Sequence, residues 1–305
     1  HKDYVIKIID VPWGECPRTA LDSKNDYDKQ ILDRILQNPQ LPNQPDVHVD
    51  IRIPNEFQPY GKFNIGITAG IETHAVSQMW IEGCNRMDLI IVPSKFTKNT
   101  LLQTSYDEKD KRTGQLIAQH KISKPIEVLH EGVELEKWQL PKKVDKFLED
   151  LETDFNYLVV GHWLQGDIGQ DRKDIGMTIK TFCTVFKDIP KKDQPGLILK
   201  TSTAGFSVMD RENISKKIRD ITKEFGDKCP SIYLLFGDLS ENELANLYHH
   251  PKVKTMLSFT KGEGYGRPLC EFTLTGKPII VSKWSGHTDF LPENSTVYID
   301  GTLTD

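Results

Sequence analysis

The chain has 305 residues, of which 37% are hydrophobic and 27% charged, with a formal net charge of −5 at pH 7. That length has room for two ordinary domains with a large core, and the acidic balance excludes a global basic field for nucleic acid. No run approaches the roughly 18 apolar residues that cross a bilayer.

Five cysteines, Cys16, Cys84, Cys183, Cys229 and Cys270, stand singly with no CxxC pair. This usage predicts reduced thiols, with neither a disulfide frame nor a zinc site. No apolar h-region opens the chain, so no signal peptide is expected, and the predicted location is cytoplasmic. The lysine pairs at 142–143, 191–192 and 216–217 read as solvated faces. They leave peripheral contact with an anionic membrane open.

In chain order, the first half shows apolar strand candidates at 5–9, 47–53, 63–68, 89–92 and 126–129, with helices over 20–36, 73–85 and 95–104. Residues 134–154 are rich in Lys, Glu and Asp and read as a linker with a charged helix. The domain boundary is therefore expected near residue 145, giving domains 1–145 and 146–305. The second half predicts strands at 157–160, 197–199, 232–236, 253–259, 278–281 and 296–299, and helices over 175–186, 214–225 and 241–248. Short apolar strands alternating with amphipathic helices predict an α/β fold with parallel sheets covered on both faces. Ser240 followed by Glu243 is a capping-box signature for the helix over 241–248. Two Rossmann-like domains facing one another fit this rhythm best.

The stretch GEGYGRPLCE, residues 262–271, connects the strand at 253–259 to a short helix expected over 268–275. Pro268 suits a first helical position, and Gly276 suits the stop. A glycine loop feeding a helix start aims backbone N–H groups at one spot, which suits phosphate. Glu263 and Glu271 flank that spot, as a ligand with hydroxyls at both ends and phosphates in the middle requires. A nucleotide sugar is such a ligand, and carboxylates are strong acceptors for its hydroxyls. A dinucleotide fingerprint would need glycine where Arg267 stands and an acidic residue where the next strand ends at Ser282 and Lys283. A plain strand–turn–helix connection explains the glycines but gives no reason for the two glutamates.

These residues resemble the E-x7-E motif of the retaining glycosyltransferases of family 4, which have the GT-B fold. Gly264-Tyr265-Gly266-Arg267-Pro268 is similar to the family's EGFG-x-P, and the run from Gly276 to Ser282 to its G-x-P-V-I-x-S. Further matches are Asn64 to Thr68, Glu72, Trp80, Asp88 to Phe96, Gly132 to Glu134, the strand 232–237 with Ser240 to Leu244, and Ser285 to Asp289. Together they cover roughly residues 62–300.

The resemblance implies that Glu263 holds donor-sugar hydroxyls, Glu271 holds the ribose, and backbone amides around Gly264, Tyr265 and Gly266 carry the diphosphate, with Arg267 beside them. The family's arginine after the first strand of the second domain is replaced here by His162. Lys173 fits the family's lysine, and Arg172 stands as replacement for the missing arginine. The implied donor is a UDP- or GDP-linked sugar, with no cofactor and no metal required, because the cations neutralise the leaving diphosphate. Retention by front-face attack would follow family precedent, so no nucleophile is nominated.

Glu72 and His74, expected to open a helix after the strand at 63–68, are the acceptor-side candidates. His130 reads more readily as structural. The acceptor, whether glycan, lipid, protein or modified nucleic acid, stays open. The glycine loop expected after the first strand has one candidate, residues 10–17, and the crossing helices expected at the C-terminus are missing. Asp26 and Asp28 form the one DxD match to a metal-dependent transferase, in a polar stretch that does not suit it. A sugar-nucleotide epimerase of GT-B fold and a non-catalytic glycan- or nucleotide-binding module are the rival readings.

Overall fold

A computed structural model describes residues 4–11, 21–41, 43–138, 148–164, 166, 168–203 and 205–302. The expected domain boundary at 145, Cys16 and most of the candidate loop at 10–17 lie outside the described residues. The chain divides into two compact units, residues 1–48 with 60–63, and residues 49–59 with 64–305.

In the first unit the expected strand at 5–9 reduces to one parallel bridge between Ile8 and Ile35. The expected helix at 20–36 shortens to α1 (Asp26–Leu32). The reason is local. The Asp22 carboxylate accepts the Lys24 amide at 2.9 Å, an Asx turn that competes with helix. Asn25 then caps α1, accepting the Tyr27 amide at 2.9 Å.

The chain then runs through β1 (Val47–Ile51), β2 (Phe63–Ile67), α2 (Gln78–Asn85), β3 (Leu89–Val92), α3 (Lys95–Gln103), β4 (Tyr106–Lys109), β5 (Leu116–His120), β6 (Ile126–Val128) and α4 (Leu135–Trp138). The first sheet has the order β1-β2-β3-β6, with β2, β3 and β6 parallel. Val76, Ile81, Cys84, Ile90, Val92 and Leu101 form its core. The antiparallel hairpin β4–β5 is absent from the sequence expectation. Every residue of β4 is exposed, so it carries no apolar alternation to read. The helix expected from residue 73 begins five residues later, after Ser77, so Glu72 and His74 lie in the preceding loop.

The second sheet is built from β7 (Asn156–Val160), α5 (Ile175–Phe186), β8 (Gly196–Lys200), α6 (Val208–Thr222), β9 (Ile232–Leu235), α7 (Glu241–His249), β10 (Val253–Ser258), α8 (Arg267–Thr273), β11 (Ile279–Ser282) and β12 (Thr296–Ile299). Its order is β12-β11-β10-β7-β8-β9, with parallel pairing throughout. Helix α6 starts earlier than its apolar spacing predicts because Ser207 and Asp210 form a reciprocal capping box. The box predicted at Ser240 and Glu243 is present on α7.

Two cores cover the faces of this sheet. Leu158, Met256, Tyr248 and Phe272 belong to one, and Leu199, Leu257, Ile179 and Phe182 to the other. Full burial of side chains of this size stabilises by about 1.5–3 kcal/mol each. The strand order reverses at β7 and β10, and open parallel sheets bind ligands outside the carboxyl ends of the strands at such a switch point. No helix among the described residues is long and apolar enough to cross a membrane.

Candidate functional site

Both strands of the switch point end in residues singled out from sequence. Strand β7 leads into Gly161 and His162, and β10 into the loop that carries Glu263 and then α8 with Glu271. Helix α8 begins at Arg267, so Pro268 is its second residue, and Gly266 caps it with φ 100°. The positive φ favours glycine there.

The other glycines of the loop answer to a different demand. A Cβ on Gly262 would overlap the Glu72 carbonyl, and one on Gly264 would overlap the Ala69 carbonyl. The loop thus lies backbone against backbone on the segment that follows β2. The Ser94 hydroxyl adds a buried hydrogen bond to the Gly264 carbonyl at 2.6 Å. On its other side the Glu263 amide donates to Ser285 Oγ at 3.0 Å, and the Gly286 amide donates to the Glu263 carbonyl at 2.8 Å. Ser285 holds φ 84°, a strained conformation for a residue with a Cβ.

Glu263 is 8% exposed, and a buried carboxylate needs charge partners. Lys173 Nζ forms an ion pair with Glu263 Oε1. Arg172 Nη1 donates to the Gly262 carbonyl at 3.0 Å and lies 3.6 Å from Glu263 Oε2 and 3.5 Å from Glu72 Oε1. The turn before α5 aims both cations. Asp171 Oδ2 accepts the Ile175 amide at 2.9 Å, and Asp174 takes φ 52°. The Lys173 stem runs along Gly161, where a Cβ would come within 3.2 Å of its Cδ. Lys173, Glu263, Gly266 and Pro268 border a cavity of about 10 Å³, the room of about one water.

His162, which stands where the resemblance leads one to expect arginine, holds Ser202 Oγ through Nδ1 at 2.9 Å. Burial lowers its pKa, and the charges of Lys200, Lys173 and Arg172 lower it further. The neutral form of the ring is thus favoured beside these cations.

Glu271 is also buried, and burial raises its carboxyl pKa while Arg267 opposes the rise through an Nε–Oε1 contact of 2.9 Å. Tyr248, beside that carboxylate, is pushed well above the usual phenol value by burial and by the Glu271 charge. Arg267 also faces a cavity of about 220 Å³ walled by Glu134, Lys137, Trp138 and Glu241.

The structure brings Glu263, Lys173, Arg172, Glu72, Gly264 and Gly266 together at one place and joins Arg267 to Glu271. The Tyr265 side chain points elsewhere. It is buried, donates to the Glu131 carbonyl at 3.0 Å, and packs against Phe290 and His130. His74 is exposed, and His130 is fixed by the Pro93 carbonyl at 2.9 Å. Sequence reasoning assigned no role to Ser94, Ser285, His287 and Asp289. His287 is fully buried behind Gly266 and bonds the Ser282 carbonyl through Nε2 at 2.7 Å. Burial lowers its pKa. The one signal for these residues was their place in small-residue loops after strands.

No protein-family model and no curated protein matches the chain. Its backbone is similar to solved structures of GT-B glycosyltransferases. An alpha,alpha-trehalose-phosphate synthase from Burkholderia xenovorans in complex with glucose-6-phosphate aligns with TM-score 0.59 at 10% identity, over 85% of this chain and 63% of that one. A trehalose-6-phosphate structure from E. coli bound with UDP-2-fluoro glucose aligns at 0.58 and 12%, over 85% and 62%. Sucrose-phosphate synthase from Thermosynechococcus elongatus aligns at 0.55 and 14%, over 84% and 60%. The chain spans about three fifths of the length of these proteins. Its fold is the α/β GT-B fold, with parallel sheets of Rossmann-like topology.

Proposed function

We propose that the chain is a retaining glycosyltransferase of family 4 that moves a hexose-type sugar from a nucleotide-diphosphate donor to an acceptor. One observation carries this reading. Two buried carboxylates, Glu263 and Glu271, stand on either side of the loop–helix junction at the switch point, and Lys173 and Arg172 converge on the first. The domain division we adopt falls near residue 145, so that each Rossmann-like domain carries one parallel sheet.

In this reading Glu263 accepts hydroxyls of the transferred sugar and Glu271 those of the ribose. The diphosphate lies between them, against the backbone of 264–266. As the glycosidic bond breaks, negative charge grows on the diphosphate, and groups that meet it there stabilise the transition state more than the ground state. Lys173 and Arg172 supply that charge, so the reaction runs without a metal. Glu72, held by Arg172, puts an acceptor-side carboxylate at the same point, and an incoming hydroxyl approaches from its side. Scattered thiols and a nucleotide-sugar donor together suit the cytoplasm.

The test is incubation with a panel of UDP- and GDP-sugars and a broad panel of acceptors, reading nucleotide release and glycosyl transfer. Wild type is expected to turn over, and Glu263→Ala to lose on the order of a hundredfold or more, the scale of a lost transition-state contact. Donor binding without turnover on any acceptor would make the chain a binding module. Interconversion of the donor sugar without an acceptor would make it an epimerase.

A further inference from the structure

The larger cavity, about 220 Å³, far exceeds the roughly 10–15 Å³ that one water needs on the same measure and has room for a single heteroaromatic base. Its apolar wall includes Trp138, itself stacked on Tyr248 with ring centroids 5.6 Å apart. Its polar wall is the ion-paired cluster of Lys137, Glu241 and Glu134. Lys137 Nζ lies 2.9 Å from Glu241 Oε2 and 3.1 Å from Glu134 Oε2. Both carboxylates thus pair with the one ammonium. Glu241 is the first residue of α7, where the helix dipole favours a negative charge.

An ammonium beside a carboxylate offers a donor followed by two acceptors. The complementary ligand edge carries one acceptor followed by two donors. Guanine has that edge in its O6, N1–H and N2–H groups. Uracil offers acceptor, donor, acceptor, and would set a carbonyl against a carboxylate oxygen. Adenine and cytosine place a ring-nitrogen acceptor where a donor is needed. Arg267 also lines the cavity, and its Nε holds Glu271 at 2.9 Å, so a base here is contiguous with a ribose at Glu271.

The geometry points to this cavity as a guanine-reading pocket, with Glu241 and Lys137 as the specificity-determining residues and a GDP-linked sugar as the donor. The inference rests on the reading of Glu271 as the ribose carboxylate.

Calorimetric titration of the full chain with GDP, UDP, ADP and IDP tests it. IDP keeps O6 and N1–H but lacks the 2-amino group. GDP is expected to bind at least about tenfold more tightly than UDP or ADP, with IDP between them, as one good bidentate contact predicts. Glu241→Ala, with its melting temperature checked against wild type, is expected to erase the GDP–IDP difference. Lys137→Ala is expected to weaken GDP and IDP alike, through their shared O6. UDP binding as tightly as GDP would overturn the guanine assignment and leave the glycosyltransferase reading standing. A guanine preference that survives Glu241→Ala would overturn the assignment of this cavity as the place where the base is read. Failure of every diphosphate to bind would overturn both.

Discussion

Replacing Glu263 by alanine should lower stability as well as activity, and the two effects can be separated. The carboxylate and its Lys173 partner have side chains only 11% and 14% exposed. Removing one member of so enclosed a pair leaves an uncompensated charge, typically at a cost of 3–5 kcal/mol. Here the remaining ammonium also loses the carboxylate that lay between it and Arg172, while its slight exposure moderates the cost, so about 3 kcal/mol is expected. For a chain of this size each kcal/mol moves the melting temperature by about 2 °C, giving a drop of about 6 °C.

Lys173→Met should cost less, about 1–2 kcal/mol, because Arg172 still faces the carboxylate. The double variant should be clearly more stable than the sum of the singles, with a coupling of about 1–3 kcal/mol, yet remain inactive. The assay is thermal unfolding at about 0.15 M salt, paired with nucleotide release well below the transition. A Glu263→Ala melting temperature within about 1 °C of wild type would refute the reasoning, as would strict additivity in the double variant.

Two further outcomes follow from packing and charge. Gly264→Ala drives a Cβ into the Ala69 carbonyl, backbone against backbone, and should cost about 1–3 kcal/mol in thermal unfolding. Gly132→Ala meets nothing within 4 Å and should stay within about 0.5 kcal/mol. Lys277 donates to the Tyr248 and His250 carbonyls at 2.7 and 2.8 Å, and burial pulls its pKa down from 10.5 to about 8. Below pH 8 both folded and unfolded chains carry the charge, and the burial penalty is full. Between about 8 and 10.5 the unfolded chain holds more protons, so this lysine makes stability rise with pH. Urea titrations from pH 7.5 to 10.5 should show that rise diminished in Lys277→Met.

The second sheet was legible because its strands are continuous apolar runs and its helices carry apolar spacing, so period and length both spoke. Helix α5 was placed at its observed limits for that reason, whereas α6 was cut short because its first turn rests on the Ser207–Asp210 cap and not on apolar residues. The exposed hairpin β4–β5 had neither signal. At the site, the two glutamates and the Arg172–Lys173 pair could be named from spacing and resemblance. What the chain did not reveal is why the loop is rich in glycine. Gly262 and Gly264 are required by carbonyls some 190 residues earlier, at Glu72 and Ala69, and a contact so distant in sequence leaves no local trace. The place of the Tyr265 side chain left no local trace either. Its ring faces Phe290 and His130, neither of which its neighbours in sequence could indicate.

The start of α3 carries a consequence for motion. Its Ser94 side chain caps the Thr97 amide, but the Lys95 amide is held at 2.6 Å by Asp289, from the loop after β11. Phe96 meets Trp284 of that same loop edge to face, 4.9 Å between centroids. The first turn of this helix is thus finished by a residue 194 positions further along the chain. Whenever this contact with the loop after β11 opens, that one proton is released to solvent while the interior amides of α3 stay bonded. Its hydrogen-exchange rate is therefore a clock for opening, set apart from the slower exchange that follows unfolding of the helix.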